Sequence, residues 1–367
     1  MTLRRGWKDA FDWPLFVTVV TIALVGVVNL YSATSAMDSY LRDAYIQQIH
    51  WLTLGGAVAV LLAVIDYRHF ERYGWGAYAL GLVMLVLVFL LGREIRGSQR
   101  WIPIGSFSLQ PSELMKICFI IALAKHLHND PRTEGRTLKD LVIPGLILFV
   151  PLVLVLAQPD LGTALILVFI FVTVMFLTHL KLQSLLTLVF SLVASAPLTW
   201  RYLLKDYQRD RLLAFWDPKA DLLGRGWHAH QAKVAIGSGG VTGKGFLEGT
   251  QNQHRFLPDQ HTDFPFPVWS EEQGLLGALV LVGLYLFLVL WGLRIASQAK
   301  DRFGAVVAVG VSGMIFWHAF INLAMVCGLL PVVGITLPLV SYGGSSVLTV
   351  MMGIGLLMNI SMRRFQY

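Results

Sequence analysis

Charge is scarce in this chain. Only 14% of its 367 residues are Asp, Glu, Lys or Arg, against about 25% in an ordinary soluble domain. A chain that is also 56% hydrophobic has too little ionisable surface to cover a water-soluble fold of this length, and a bilayer is the alternative solvent. Cysteine is nearly absent. Cys118 and Cys327 each lie inside an apolar segment, far apart, and read as small core residues, not as a disulfide or a metal pair. No C-x-x-C, H-E-x-x-H or His/Cys cluster is present, no Walker or dinucleotide glycine spacing, and no basic run with interleaved aromatics. These absences leave structural zinc, nucleotide chemistry and nucleic-acid binding without sequence support. The net charge of +7 is therefore read for where it lies along the chain.

What is present is a series of long apolar blocks. A membrane helix needs about 20 predominantly apolar residues, and the segments 14–33, 48–66, 74–92, 111–128, 141–157, 161–178, 182–199, 271–296, 304–329 and 338–361 meet or approach that length. None alternates as a barrel strand would. The first block exceeds the roughly 7–15 residues of a signal-peptide core, so it reads as an uncleaved transmembrane helix. The expectation is one polytopic, all-α membrane domain over 1–367, with about ten transmembrane helices. A single long extracytoplasmic loop, 200–271, separates the seventh helix from the eighth.

Orientation follows from Lys and Arg in the short connections. With the N-terminus inside, the inner connections hold Arg4, Arg5, Lys8, Arg68, Arg72, Lys125, Arg132, Arg136, Lys139, Lys181, Arg294, Lys300, Arg302, Arg363 and Arg364. The outer ones hold only Arg42, Arg93, Arg96 and Arg100. Both termini are then cytoplasmic and the long loop faces outward.

Several connections carry more chemistry than a turn requires. Pro111-Ser112-Glu113 suits a first helical turn, and Lys116 follows Glu113 at i, i+3, on the same face. An ammonium that deep is costly unless paired or facing a wet cavity, so a structural pair and a substrate-facing role both stand. Asp160, in Gln158-Pro159-Asp160-Leu161-Gly162-Thr163, reads either as a helix N-cap or as a functional carboxylate. The 231–240 stretch reads as a short amphipathic helix with a glycine stop. The following glycines supply exposed N–H groups, though not at a nucleotide-binding spacing. Asp259 has only a solvated-surface reading, whereas Asp263 closes a polar run just before the chain turns apolar again. Pro338 and Gly343-Gly344 would break or kink the last helix near its start. Unaided, these residues describe an integral membrane enzyme or transporter with an outer polar site.

The strings Gly97-Ser98-Gln99-Arg100-Trp101-Ile102, Gln110-Pro111-Ser112-Glu113, Gln158 to Thr163, Asp206-Tyr207-Gln208-Arg209, His261-Thr262-Asp263-Phe264 and Pro338 to Gly344 resemble those of the SEDS family (shape, elongation, division and sporulation). They fall in order across nearly the whole chain, and the Asp206 to Arg209 run is more similar to the rod-elongation branch than to the division branch. The resemblance implies a ten-helix peptidoglycan glycosyltransferase of the bacterial inner membrane that polymerises lipid II. It further implies a class B penicillin-binding protein as crosslinking partner, beside other membrane proteins of the elongation complex. In that reading Asp263 is the general base. Lys116, Arg100 and Arg209 hold phosphates, Glu113 orients Lys116, and His261 joins the substrate contacts. Asp160 shapes the site or helps to hold a divalent cation such as Mg or Mn. A lipid II flippase is the competing function. One departure from the family pattern is Phe264-Pro265-Phe266-Pro267. Two prolines there predict a later start for the eighth helix.

Overall fold

The computed structural model describes residues 11–37, 42–95, 98–105, 107–130, 135–177, 225–254 and 259–364, with isolated positions between these stretches. Nine of the expected apolar segments fall mainly within these residues and are helical. The tenth, 182–199, lies mostly outside them, as do the residues 202–208.

In chain order the helices are α1 (Trp13–Ser35), α2 (Ala44–Val64), α3 (Tyr67–Leu91), α4 (Pro111–His128), α5 (Val142–Ala157), α6 (Leu161–Leu177), α7 (Arg225–Ser238), the single turn α8 (Thr250–Gln253), α9 (Pro265–Ser297), α10 (Arg302–Val326) and α11 (Gly344–Arg363). Seven helical spans among the described residues are long and apolar enough to cross a membrane. Hydropathy marks only the greasy middle of a helix, so polar ends extend several of them. Asp66, for example, accepts from the Arg68 N–H at 3.0 Å and starts α3 seven residues before the apolar run. The connection between α3 and α4 is richer than expected. It folds into a three-stranded antiparallel sheet of β1 (Arg93–Ile95), β2 (Ser98–Ile104) and β3 (Phe107–Leu109), in that order.

α4 stands at the centre of the bundle. It packs against α3, α5, α6, α10 and α11, and its side chains from Phe119 to Ala124 are all buried. α2 and α11 approach closely enough that a Cβ on Gly355 would lie 2.6 Å from the Ala59 carbonyl oxygen. At the end remote from the sheet, the buried Asp12 carboxylate draws α1, α9 and α11 together. It accepts from Leu15 N, Trp291 Nε1 (2.8 Å) and Ser361 Oγ (2.5 Å).

The two prolines do not delay α9. It begins at Pro265, because a first-turn residue has no intrahelical N–H bond to lose. The break comes later, at Gly274, with φ 66° and ψ −165°. There the glycine-rich run after α7 supplies the missing partners. Leu275 N and Leu276 N donate to the Gly240 and Val241 carbonyls, while Lys244 N and Gly245 N donate to those of Glu271 and Glu272. A Cβ on Gly274 would lie 2.3 Å from Gly243 N. The exposed N–H groups read from the sequence thus serve the kink. Glu271, fully buried, fastens the same run by accepting from Lys244 Nζ at 2.6 Å and from Thr250 Oγ1 and Gln251 N at 3.1 Å.

The chain between α10 and α11 is irregular. Irregular backbone at membrane depth survives only where protein or a wet cavity satisfies it, and here side chains do so. Asn322 Nδ2 donates to the Ile335 carbonyl at 2.6 Å, Tyr285 OH to that of Pro338 at 2.5 Å, and Gln48 Nε2 to that of Ser341 at 3.1 Å. α11 therefore begins at Gly344, past the Pro338 and Gly343-Gly344 breaks.

Candidate functional site

At the sheet-bearing end of the bundle a cavity of about 710 Å³ opens between the α3–α4 connection, the α5–α6 turn, the segment before α9 and the α10–α11 segment. Its wall includes Arg100, Glu113, Asp160, His261 and Asp263, so five of the seven site residues expected from the sequence meet in one place. Lys116 stands just behind the wall, tied to Glu113. Arg209 is not part of the wall; its Nη2 donates to the Arg201 carbonyl at 3.0 Å.

Asp263 is set by a tight turn. Its N–H and that of Thr262 both donate to the Asp259 carbonyl, at 3.0 and 3.1 Å. Asp259 adopts φ 46°, the left-handed region that Asp tolerates better than most residues, and it also lines the cavity. Its place is thus more than solvated surface. The turn is pinned from two sides: Gln260 Nε2 donates to the Ala33 carbonyl at 2.7 Å, and Tyr342 N to that of His261 at 2.8 Å. From α10, Asn322 Nδ2 donates to the Asp263 carbonyl at 3.0 Å. The Asp263 carboxylate lies against Gly334, where a Cβ would come within 3.3 Å of Oδ2. Gly334 has φ 76°, which also favours glycine.

Asp160 is an N-cap and a wall residue at once. Oδ1 accepts from Thr163 N at 3.2 Å, and Oδ2 from Thr163 Oγ1, Gln110 Nε2 and Ser112 Oγ at 2.9, 2.9 and 3.2 Å. Arg100 is aimed by the same turn. It donates through Nε to the Gln158 carbonyl at 3.1 Å and through Nη2 to that of Pro159, and its Nη1 lies 3.5 Å from Asp160 Oδ1. A guanidinium fixed in this way presents a preset positive edge to the cavity. On α4, Lys116 Nζ donates to Glu113 Oε1 at 2.7 Å. Its other neighbour is His318 Nε2, at 2.8 Å.

Three residues of this site carried no signal of their own. His318 reads in sequence as an isolated histidine in an apolar helix, and Asn322 as one amide in the same helix. His228 sits on α7, lines the cavity and meets Phe264 edge-to-face with ring centroids 6.3 Å apart. Among the described residues no group of three or more His, Cys, Asp or Glu side chains is placed to hold a metal ion.

A carboxylate on a braced turn and a fixed guanidinium thus face one cavity in a bundle of apolar, membrane-length helices. Residues 12–366 match the family model for FtsW, RodA and SpoVE, described as cell cycle protein. The chain belongs to this family. The peptidoglycan glycosyltransferase MrdB of Escherichia coli K12 is 39% identical over 361 residues, covering 98% of this chain and 96% of the relative. A chain of a structure described as "Structural coordination of polymerization and crosslinking by a peptidoglycan synthase complex" superposes with a TM-score of 0.84. It is 34% identical and covers 97% of this chain and 99% of that one. The rod shape determining protein RodA of Thermus thermophilus gives a TM-score of 0.73 at 31% identity, with 99% and 100% coverage.

Proposed function

We propose that this chain is a peptidoglycan glycosyltransferase that polymerises lipid II, with Asp263 as the general base. The observation that carries the reading is the convergence of Asp263, Glu113, Asp160, Arg100 and His261 on one cavity at one end of a membrane-type bundle. The relatives are peptidoglycan glycosyltransferases by name, and they match the chain over nearly its whole length.

The reaction joins a sugar 4-hydroxyl to the anomeric carbon of a second glycan and releases lipid pyrophosphate. Inversion in one step needs a base on the hydroxyl side and positive charge at the departing phosphates. Asp263 accepts the hydroxyl proton, and the turn of Asp259 to Asp263 keeps its carboxylate directed into the cavity. Arg100, anchored by backbone carbonyls, is the phosphate contact best placed on the wall. Lys116 is too deeply buried to serve first in that role. The wall residues described carry four carboxylates, Glu113, Asp160, Asp259 and Asp263, against the single guanidinium of Arg100. That balance favours a divalent cation arriving with the pyrophosphate, since such ions take one or two carboxylates beside substrate phosphates. Activity that survives excess chelator would remove the cation from the scheme.

A class B penicillin-binding protein is the proposed partner, in keeping with the likeness to a chain of a polymerising and crosslinking complex. The Lys and Arg asymmetry supports an inner-membrane protein with both termini cytoplasmic and the cavity outside. A flippase would need a polar path through the bundle. Beyond Lys116, however, the buried face of α4 continues as Ile117, Ile120, Ile121, Ala124 and Leu127, all apolar. The deciding assay uses purified protein in liposomes, with and without the class B partner, and follows glycan product and lipid II transbilayer movement separately. Polymer without transbilayer movement supports the proposal. Movement without polymer would replace it with the flippase.

A further inference from the structure

Lys116 is 1% exposed and forms no part of the cavity wall. Its two neighbours, Glu113 and His318, do line the cavity. The ammonium donates to Glu113 Oε1 at 2.7 Å and lies 2.8 Å from His318 Nε2. An ammonium carries only donors, so Nε2 must accept, and the proton of the neutral ring then sits on Nδ1. Nδ1 faces the Thr336 carbonyl at 3.3 Å. A continuous chain therefore runs from the α10–α11 segment through imidazole and ammonium to the carboxylate. At its end Glu113 is 7% exposed, and its Oε2 is buried and accepts no hydrogen bond from the described residues. A buried carboxylate oxygen without a donor is a desolvation penalty that a ligand donor would relieve.

We propose that Glu113 Oε2 is the acceptor for a hydroxyl or amide N–H of the sugar–peptide part of the substrate, and that Lys116 and His318 are positioning residues that hold Glu113 for it. The inference rests on the glycosyltransferase reading and deepens it. A carboxylate repels phosphate oxygens, so this oxygen selects the neutral, donor-rich portion of a lipid-linked glycan and not its pyrophosphate. With its other oxygen held by Lys116, Glu113 can turn only Oε2 toward a ligand. His318 takes a second ammonium hydrogen and keeps the lysine from swinging into the cavity, where it would compete for Glu113.

The test titrates the purified full-length protein with two probes. One is lipid II; the other is undecaprenyl pyrophosphate, which has the same lipid and phosphates and no sugar. Glu113→Gln keeps an acceptor for Lys116 but offers the ligand an amide donor. Its Kd for lipid II should rise about ten- to hundred-fold, while that for the sugarless probe changes by less than about two-fold. His318→Leu should show the same selective loss. His318→Gln, whose amide accepts from Lys116 and donates to Thr336, should recover most of the affinity. Unchanged lipid II affinity in Glu113→Gln overturns the proposal. So does equal loss of both probes in variants that unfold at the wild-type temperature, or a His318→Gln as weak as His318→Leu. A wild-type protein that binds lipid II selectively but never polymerises it would instead sink the glycosyltransferase reading.

Discussion

Asn322, buried on α10, donates from one amide nitrogen to the Asp263 carbonyl at 3.0 Å and to the Ile335 carbonyl at 2.6 Å. One side chain thus ties the turn that bears the proposed base to the segment that backs it. Asn322→Ala removes both bonds and should let Asp263 drift. A displacement on the order of 1 Å at a reacting group costs roughly a hundred-fold, so kcat should fall by ten-fold or more, with KM for lipid II little changed. A rise in KM with kcat intact would show that Asn322 serves binding instead. Little of this was legible beforehand. Glu113 and Lys116 declared themselves by i, i+3 spacing, and Asp160 by its place before an apolar helix. Asn322 and His318 are lone polar residues in an apolar helix, and their partners lie on other segments of the chain. Arg209, picked out by its motif, has no such geometry among the described residues.

At the scale of elements, the kink in α9 decides how the site sits on the membrane helices. The segment of Pro265 to Gln273 carries Glu271 and Glu272, and the apolar span continues beyond Gly274. The glycine-rich run docks into the break with backbone hydrogen bonds on both sides. Gly274→Ala would meet Gly243 N at 2.3 Å, and backbone at φ 66° and ψ −165° is open essentially to glycine alone, costing another residue about 1–3 kcal/mol. The variant should unfold at a visibly lower temperature than the wild type. Gly237→Ala is the control, since nothing lies within 4 Å of a Cβ there. Equal unfolding temperatures for the two variants would mean that the docking contributes nothing. The helices were legible because about 20 apolar residues leave few alternatives. The kink was not, because prolines at 265 and 267 drew attention to a start that tolerates them, while an unremarkable glycine nine residues later absorbs the bend. Nor was the small sheet before α4, whose strands are only three to seven residues long.

For the molecule as a whole, the proposed orientation puts the cavity outside and α9's far end inside. In a protein with Cys118 and Cys327 replaced, an impermeant thiol reagent added to intact cells should label Glu248→Cys, at an exposed position, and spare Ser297→Cys. The reverse pattern would place the cavity in the cytoplasm and remove its access to outward-facing lipid II. The central claim is that the outward cavity polymerises lipid II with Asp263 as base, and its most direct test is glycan formation by purified Asp263→Asn, with lipid II binding measured alongside. The substitution keeps size and most hydrogen bonding but removes the basic oxygen. General-base catalysis is worth about 10²–10⁴-fold, so turnover should fall by that order while binding and folding persist. Turnover near that of the wild type would take Asp263 out of the mechanism.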